Sequence, residues 1–419
     1  MALGKKPVTG MKDILPAEME IRDYVIGVIK ETYRQFGFTS IETPCVENIK
    51  NLSNKQGGEN EKLIFKILKR GEKLKLEAAK EENDVVDGGL RYDLTVPLVR
   101  FYANNSGNLP TPFKALQIGP VWRADRPQRG RYRQFYQCDI DILGEPTNLA
   151  EIELIMATTT TLDKLGFKGF EIRINERKIL KAMASYSGFE EADYDTVFII
   201  LDKMDKIGAD GVAKELVENG FSQDSADKYL ALFEGIKQAD NGLDYLATTL
   251  EGFLDIETKN NLQEIITSVE ATKNASFEIV FDPTLVRGMS YYTGTIFEIA
   301  IPEFGGSCGG GGRYDKMVGK FTGQDTPACG FSIGFERIVL LLLENGFEIP
   351  NAKQKTAFLI EKGISTERLC EVMAEAQVAR ANGERILVAR MNKNKKFQKE
   401  QLNKEGYTTF KEFYKETLK

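Results

Sequence analysis

The sequence predicts an α+β fold: an antiparallel sheet flanked by helices, with a helical insertion and a short C-terminal α/β domain. Three observations predict it. Strands at Lys114–Val121 and Gln134–Leu143 flank a loop with Gly130 in its turn, the pattern of an antiparallel hairpin. Strands recur at Phe277–Phe281 and Thr295–Ile301 only after a long helix-rich stretch. Strands broken up by helices in this way fit an α+β core better than a doubly wound parallel sheet.

In chain order, Asp13 and Pro16 open a helical pattern from Glu18 to Phe36 that stops at Gly37, and the alternation from Phe38 to Pro44 reads as a strand. Leu63–Leu68 is a short apolar strand, followed by a charged stretch to Asp87 and a Gly88-Gly89 turn. A helix is expected over Val96–Tyr102, then the hairpin, a helix over Pro146–Leu165 and a strand at Phe170–Ile174. From about Lys181 to Thr272 the chain is helix-rich with glycine-marked breaks and carries no chemical constellation. After Phe277–Phe281 and Thr295–Ile301 come a glycine-rich stretch and a helix over Ile333–Glu344. Past Gly346 and Pro350 the periodicity is β-α-β-α: Thr356–Ile360, Thr366–Ala381, Arg385–Val388 and Lys396–Asn403. A chain of 419 residues exceeds one hydrophobic core. The expected division is a discontinuous core, 1–180 with 273–346, an insertion, 181–272, and a short basic domain, 352–419.

Composition narrows the chemistry. A hydrophobic share of 42% and a charged share of 28% are those of an ordinary globular protein. The longest apolar run, Ile338–Leu343, falls far short of the ~18 residues of a membrane span. The N-terminal Met1–Lys6 has no apolar segment of a secretory signal. Five scattered cysteines, Cys45, Cys138, Cys308, Cys329 and Cys370, form no C-x-x-C pair, which argues against a disulfide framework or a zinc site. The cytoplasm is the expected compartment. Histidine is absent, which excludes Ser-His-Asp and Cys-His catalysis and imidazole metal ligands. Chemistry must rest on carboxylates, arginines, tyrosines, backbone and bound ions.

Net charge is −6, yet positive charge is locally concentrated. Arg123, Arg126, Arg129, Arg131 and Arg133 share the hairpin loop with a single acid, Asp125, and the tail from Glu384 to Lys419 has ten Lys/Arg against five Glu. Guanidinium forks match phosphate oxygens, so several on one hairpin suit a polyphosphate. On the following strand Phe135, Gln137, Asp139 and Asp141 share one face. Buried carboxylates there are costly unless a cation binds them. A merely solvated basic hairpin explains the arginines but not the aligned carboxylates.

Four further segments stand out. Asp282–Thr295 combines Arg287 with adjacent Tyr291 and Tyr292, a composition suited to a polar ligand, although taken alone a surface turn with core tyrosines is its simpler reading. Gly305–Gly312 is six glycines in eight residues, followed by Arg313 and Tyr314; it fits neither dinucleotide nor P-loop fingerprints. A flexible loop is its simplest reading, and close approach of backbone to a ligand is the alternative. Gly330–Ile338 reads as strand, turn and helix with Arg337 in the first turns. Leu90–Pro97 carries Asp93 before a helix, where helix capping by Asp93 or Thr95 competes with ligand binding.

In this order the segments resemble the class II aminoacyl-tRNA synthetases, and among them the histidyl-tRNA synthetase family. The resemblance runs from Gly10-Met11-Lys12-Asp13-Ile14-Leu15-Pro16 to about Glu344. The arginine hairpin looks like the family's second signature motif, Gly330–Arg337 like its third, and Leu285–Glu298 like the peptide peculiar to the histidine enzymes. The resemblance implies ATP-dependent activation of histidine and transfer to the 3′ end of tRNA(His) by a homodimer, with Mg2+ carried on the ATP phosphates and no dedicated metal site. It implies Arg123 on the α-phosphate, Phe135 stacked on adenine, Asp125 near the adenine amino group, and Arg337 with Arg131 at the terminal phosphates. Arg287 would steady the α-phosphate as the histidine carboxylate attacks. Gln137 and Asp141 would take the α-ammonium, and Asp93, Tyr292 and Tyr314, with Tyr291 beside them, the imidazole.

Two features depart from the family. Ser290 stands where an acidic residue is usual, and the segment after Pro350 is about half of the usual anticodon-binding domain. The shortened end suits a rival, the regulatory subunit of ATP phosphoribosyltransferase, which would bind histidine without catalysis. Arg123, Arg287 and Arg337 favour the enzyme, because a sensor needs no triphosphate site.

Overall fold

The computed structural model describes residues 4–53, 61–286 and 291–415. The chain divides into two compact units, residues 1–12 with 27–341, and residues 13–26 with 342–419.

The first unit is built on one sheet of eight strands. In chain order the strands of this unit are β1 (Thr39–Ser40), β2 (Val46–Asn48), β3 (Lys66–Leu68), β4 (Val86–Leu90), β5 (Phe113–Trp122), β6 (Gln134–Leu143), β7 (Phe170–Glu176), β8 (Phe277–Phe281), β9 (Thr295–Ile301), β10 (Gly306–Arg313) and β11 (Ala328–Ile333). The sheet order is β1-β5-β6-β11-β10-β9-β7-β8, while β2, β4 and β3 form a small separate sheet. The six central strands are antiparallel throughout. Each edge adds a parallel strand, β1 on β5 and β8 on β7. The expected antiparallel sheet is therefore the middle of a wider mixed one; both edge strands were expected, but alternation along a strand does not tell its direction relative to a neighbour.

The glycine-rich stretch is not a loop. It forms β10, paired on both sides by β9 and β11. A Cβ on Gly311 would stand 1.9 Å from the Gly330 carbonyl oxygen, and one on Gly312 2.6 Å from that of Thr295. Only glycine lets the backbones meet this closely, which outweighs its conformational cost in a strand. The helix Thr95–Asn105 packs Leu98, Val99 and Tyr102 against Tyr314, Met317 and Val318.

Between 177 and 272 the chain is helical. Four of its helices begin on side-chain caps, Glu176, Ser222, Asn241 and Asp255, each accepting a backbone N–H of the first turn. Their core holds Tyr229, Leu232, Phe233, Leu243, Leu246 and Ile265, all nearly inaccessible. Phe189 meets Phe221 and Tyr229 edge-on at 5.3 and 5.5 Å.

In the second unit, strands β12 (Lys355–Ile360), β13 (Arg385–Arg390) and β14 (Tyr407–Phe413) form a parallel sheet in the order β13-β12-β14. Helices Thr366–Ala381 and Lys395–Lys404 connect them. Phe358, Ile360, Val372, Ala376, Ile386 and Phe413 make its core. The expected β-α-β-α thus continues into a further strand, whose aromatics Tyr407, Phe410 and Phe413 recur every third residue and so lack the alternation of a half-buried strand. Among the described residues, no helix is long and apolar enough to cross a membrane.

Candidate functional site

A cavity of about 540 Å³ opens on the central strands of the first unit, and Tyr92, Asp93, Arg123, Asp125, Arg131 and Phe135 are among its lining residues. Gln137, Asp141, Tyr291, Tyr292, Tyr314 and Arg337 line it too. Every residue to which the family resemblance gives a role therefore faces one cavity except Arg287, which lies outside the described residues, as does Ser290; Arg126, Arg129 and Arg133 of the same hairpin are not among the lining residues.

One side of the cavity is cationic. The Arg123 guanidinium lies 4.2 Å from the Tyr92 ring centre and 5.2 Å from that of Phe135. Its Nε donates to the Tyr92 carbonyl at 3.0 Å. Two aromatic faces and one hydrogen bond thus hold the fork in place. Arg337 stands over the Phe304 ring at 5.3 Å and donates to the Ser307 carbonyl. Its neighbour Glu336, buried, accepts the Tyr136 N–H at 3.0 Å and ties the start of the Phe335–Glu344 helix to β6. Arg131 donates from Nε to Asp125 at 3.2 Å, so these two residues, assigned from the sequence to different parts of a nucleotide, pair with each other.

The other side is acidic and aromatic. Asp93, Asp139 and Asp141 are all at least 96% buried. Strand register sets Asp141 opposite Gly330 and Asp139 opposite Ser332; a Cβ on Gly330 would lie 2.0 Å from Asp141 Oδ1. Asp141 accepts the Tyr314 hydroxyl at 2.6 Å, Asp93 accepts the Val96 N–H at 2.9 Å, and Ser332 donates to Asp139. Asp93 therefore binds a first-turn N–H of the helix from the position before its N-cap, Leu94, while also lining the cavity. Gln137 Nε2 donates to Asp139 at 3.2 Å.

Two acceptors are left over. Gln137 Oε1 and Asp141 Oδ2 are buried with no hydrogen-bond partner among the described residues. A buried acceptor left so costs about 1–3 kcal/mol, a cost that a donor-rich ligand would remove. Burial pushes the Asp141 carboxyl up to about 7 against the opposing Tyr314 bond. Burial likewise raises Asp139, helped by the Asp141 charge, and raises Asp93 against the pull of the Val96 N–H and Arg123. A site that penalises its own negative charge in this way gains most from a bound cation. Tyr291 meets Tyr292 at 4.9 Å and Tyr314 at 6.0 Å between ring centres. Burial raises the Tyr291 and Tyr314 hydroxyls, so both stay protonated donors.

Some lining residues escaped sequence reasoning. Ser332 lay inside a segment already singled out, and its register opposite Asp139, itself on the face read from the sequence, would have found it. Arg173, Asp202, Met204 and Asp205 line the cavity from β7 and the helical region; Arg173 reaches Asp205 and Asp282 at 3.8 and 3.7 Å. No local signal marks them, because only tertiary folding carries the helical stretch to the sheet.

The sequence pattern of the family described as histidyl-tRNA synthetase matches residues 10–338. A histidine–tRNA ligase of Leifsonia xyli subsp. xyli is 44% identical over 98% of this chain and 95% of its own. That of Christiangramia forsetii is 39% identical over 84% of this chain and 79% of its own. The crystal structure of histidyl-tRNA synthetase from Nostoc sp. PCC 7120 superposes with a TM-score of 0.76 at 26% identity, covering 97% of this chain and 90% of that one. A structure from Bacillus halodurans, described as an ATP phosphoribosyltransferase regulatory subunit/histidyl-tRNA synthetase, superposes with a TM-score of 0.77 at 20% identity over 100% of both chains, a likeness of fold alone.

Proposed function

The chain belongs to the histidyl-tRNA synthetase family, and from that premise we propose how its cavity joins histidine to tRNA(His) at the expense of ATP. The observation that carries the reading is the meeting of Arg123 and Arg337, from segments far apart in sequence, beside a buried acidic and aromatic pocket with two unpartnered acceptors.

ATP lies on the cationic side, with adenine against Phe135 and the α-phosphate on Arg123; Arg337 takes the terminal phosphates. Binding exchanges the Arg131–Asp125 pair, freeing Asp125 for the adenine amino group and Arg131 for phosphate oxygens. Among the described residues, no cluster of three carboxylate or thiol side chains suits a metal ion. In this reading Mg2+ arrives on the triphosphate.

Histidine lies on the acidic side. Gln137 Oε1 and Asp93 receive the α-ammonium. Asp141 goes with the imidazole rather than the ammonium, a reading supported by its bond to Tyr314 within the tyrosine cluster. The histidine carboxylate attacks the α-phosphorus in line and pyrophosphate leaves. Arg123 and Arg287 hold the charge that builds on the α-phosphate oxygens. The 3′ hydroxyl of tRNA then attacks the acyl carbon and AMP leaves. Both steps run on orientation and electrostatics, so a chain without imidazoles loses nothing.

The regulatory-subunit alternative has less support, since relatives matching nearly the whole chain are named histidine–tRNA ligases. A homodimer in the cytoplasm completes the proposal, and five cysteines without a disulfide between them suit a reducing compartment. Histidine-dependent ATP–pyrophosphate exchange tests the reading. Wild type is expected to exchange, and Arg287→Ala to lose on the order of 100-fold or more in kcat. No exchange at saturating substrates would leave a histidine sensor, and exchange without tRNA charging would leave a different acceptor.

A further inference from the structure

Strand β7 ends on Asn175 and Glu176, outside every segment that the sequence marks for chemistry. Asn175 is fully buried and Glu176 is 5% exposed. The Asn175 side-chain amide donates to the Leu285 carbonyl at 3.0 Å, and its oxygen accepts the Glu176 N–H at 2.8 Å. Glu176 in turn accepts the Thr295 hydroxyl at 3.1 Å, and the next N–H, that of Arg177, donates to the Gly294 carbonyl at 3.1 Å. Register sets Glu176 directly opposite Thr295. Three consecutive residues thus hold the entry, at Leu285, and the exit, at Gly294–Thr295, of one stretch of chain.

That stretch carries Tyr291 and Tyr292, both of which line the cavity. Its entry is tightened by Asp282, which accepts both the N–H and the hydroxyl of Thr284 at 2.9 and 2.6 Å. A buried amide that donates to a distant carbonyl and accepts from its own strand has no apolar substitute, because the Leu285 carbonyl would lose its partner.

We propose that Asn175 and Glu176 are positioning residues for the amino-acid side of the site, clamping both ends of the Leu285–Thr295 stretch so that its tyrosines keep their place around histidine. The proposal rests on the reading that these tyrosines receive the substrate side chain. Burial raises the Glu176 carboxyl to about 7 against its bonds to Lys178 and Thr295, so a neutral side chain of the same shape serves the clamp equally.

The test compares wild type with Asn175→Ala, Thr295→Val, Glu176→Ala and Glu176→Gln in ATP–pyrophosphate exchange. Asn175→Ala and Glu176→Ala are expected to raise KM for histidine about tenfold while KM for ATP stays within about twofold, since small misplacements weigh heavily on a positioned substrate. Thr295→Val should move histidine KM the same way by less. Glu176→Gln, which keeps an acceptor for Thr295, should behave as wild type. Equal rises in both KM values, or a lower melting temperature with both KM values unchanged, would overturn the clamp in favour of general packing. Should Asn175→Ala not fold, the Thr295→Val pair of KM values decides alone. A wild type without exchange sinks the functional reading instead; calorimetric titration with histidine then reads the clamp as a change in Kd, and an unchanged Kd in Asn175→Ala overturns it.

Discussion

Asp141 shows how one side chain can be arranged to receive a hydrogen-bond donor. Tyr314 holds one oxygen and the other has no partner among the described residues. Tyr314→Phe removes the hydroxyl and leaves the packing, so KM for histidine should rise about tenfold with KM for ATP nearly unchanged, the loss of one hydrogen bond to a charged group. Exchange kinetics at varied histidine check it. The same carboxyl predicts a pH effect. Its folded-state pKa of about 7 lies above the ordinary 3.8, so the folded state binds the proton more tightly than the unfolded chain. Its favourable contribution is present below about pH 4 and is lost as pH rises toward 7. Relative to Asp141→Asn, the ligand-free wild type should lose melting temperature across that window, and a flat difference between pH 4 and 7 would refute the assignment. Asp93 and Asp139 are shifted the same way, which is why the comparison needs the single substitution.

At the scale of elements, β10 and β11 set the floor of the site. Their glycines are spatial requirements: the Gly330 position faces Asp141 and the Gly311 position faces the backbone of β11. Gly311→Ala would push two strands apart and should cost about 3 kcal/mol or more of stability, seen in denaturant unfolding. Gly330→Ala meets a movable carboxylate, so it should damage histidine KM more than stability. If both variants unfold alike, the division between structural and site glycine is wrong. The sequence showed the cluster of glycines but not this division, because glycine has no side chain to betray a face. The arginine hairpin was more legible: alternation along 134–143 and an arginine-rich loop exposed both the carboxylate face and its cationic counterpart.

For the whole molecule, a net charge of −6 coexists with a basic C-terminal segment, although Lys395 and Lys399 both pair with Glu412. If RNA phosphates meet such local patches, KM for tRNA should rise on the order of tenfold or more between 50 and 200 mM salt, while KM for histidine moves little. Charging assays at several salt concentrations check this, and equal salt dependence of both constants would argue against phosphate contacts.

The central hairpin, the cationic loop, the acidic strand face, the order of motifs and the absence of imidazole chemistry were all legible along the chain. These are written locally, in alternation and in residue type. Folding of the whole chain was needed to bring Arg123 and Arg337 to one cavity, to rest Arg131 on Asp125, to pair the glycine-rich strand on both sides, and to set Asn175 on the Leu285 carbonyl. Such facts depend on which strands lie side by side, and that is settled by burial and hydrogen-bond pairing across the whole chain, which no short stretch of sequence encodes.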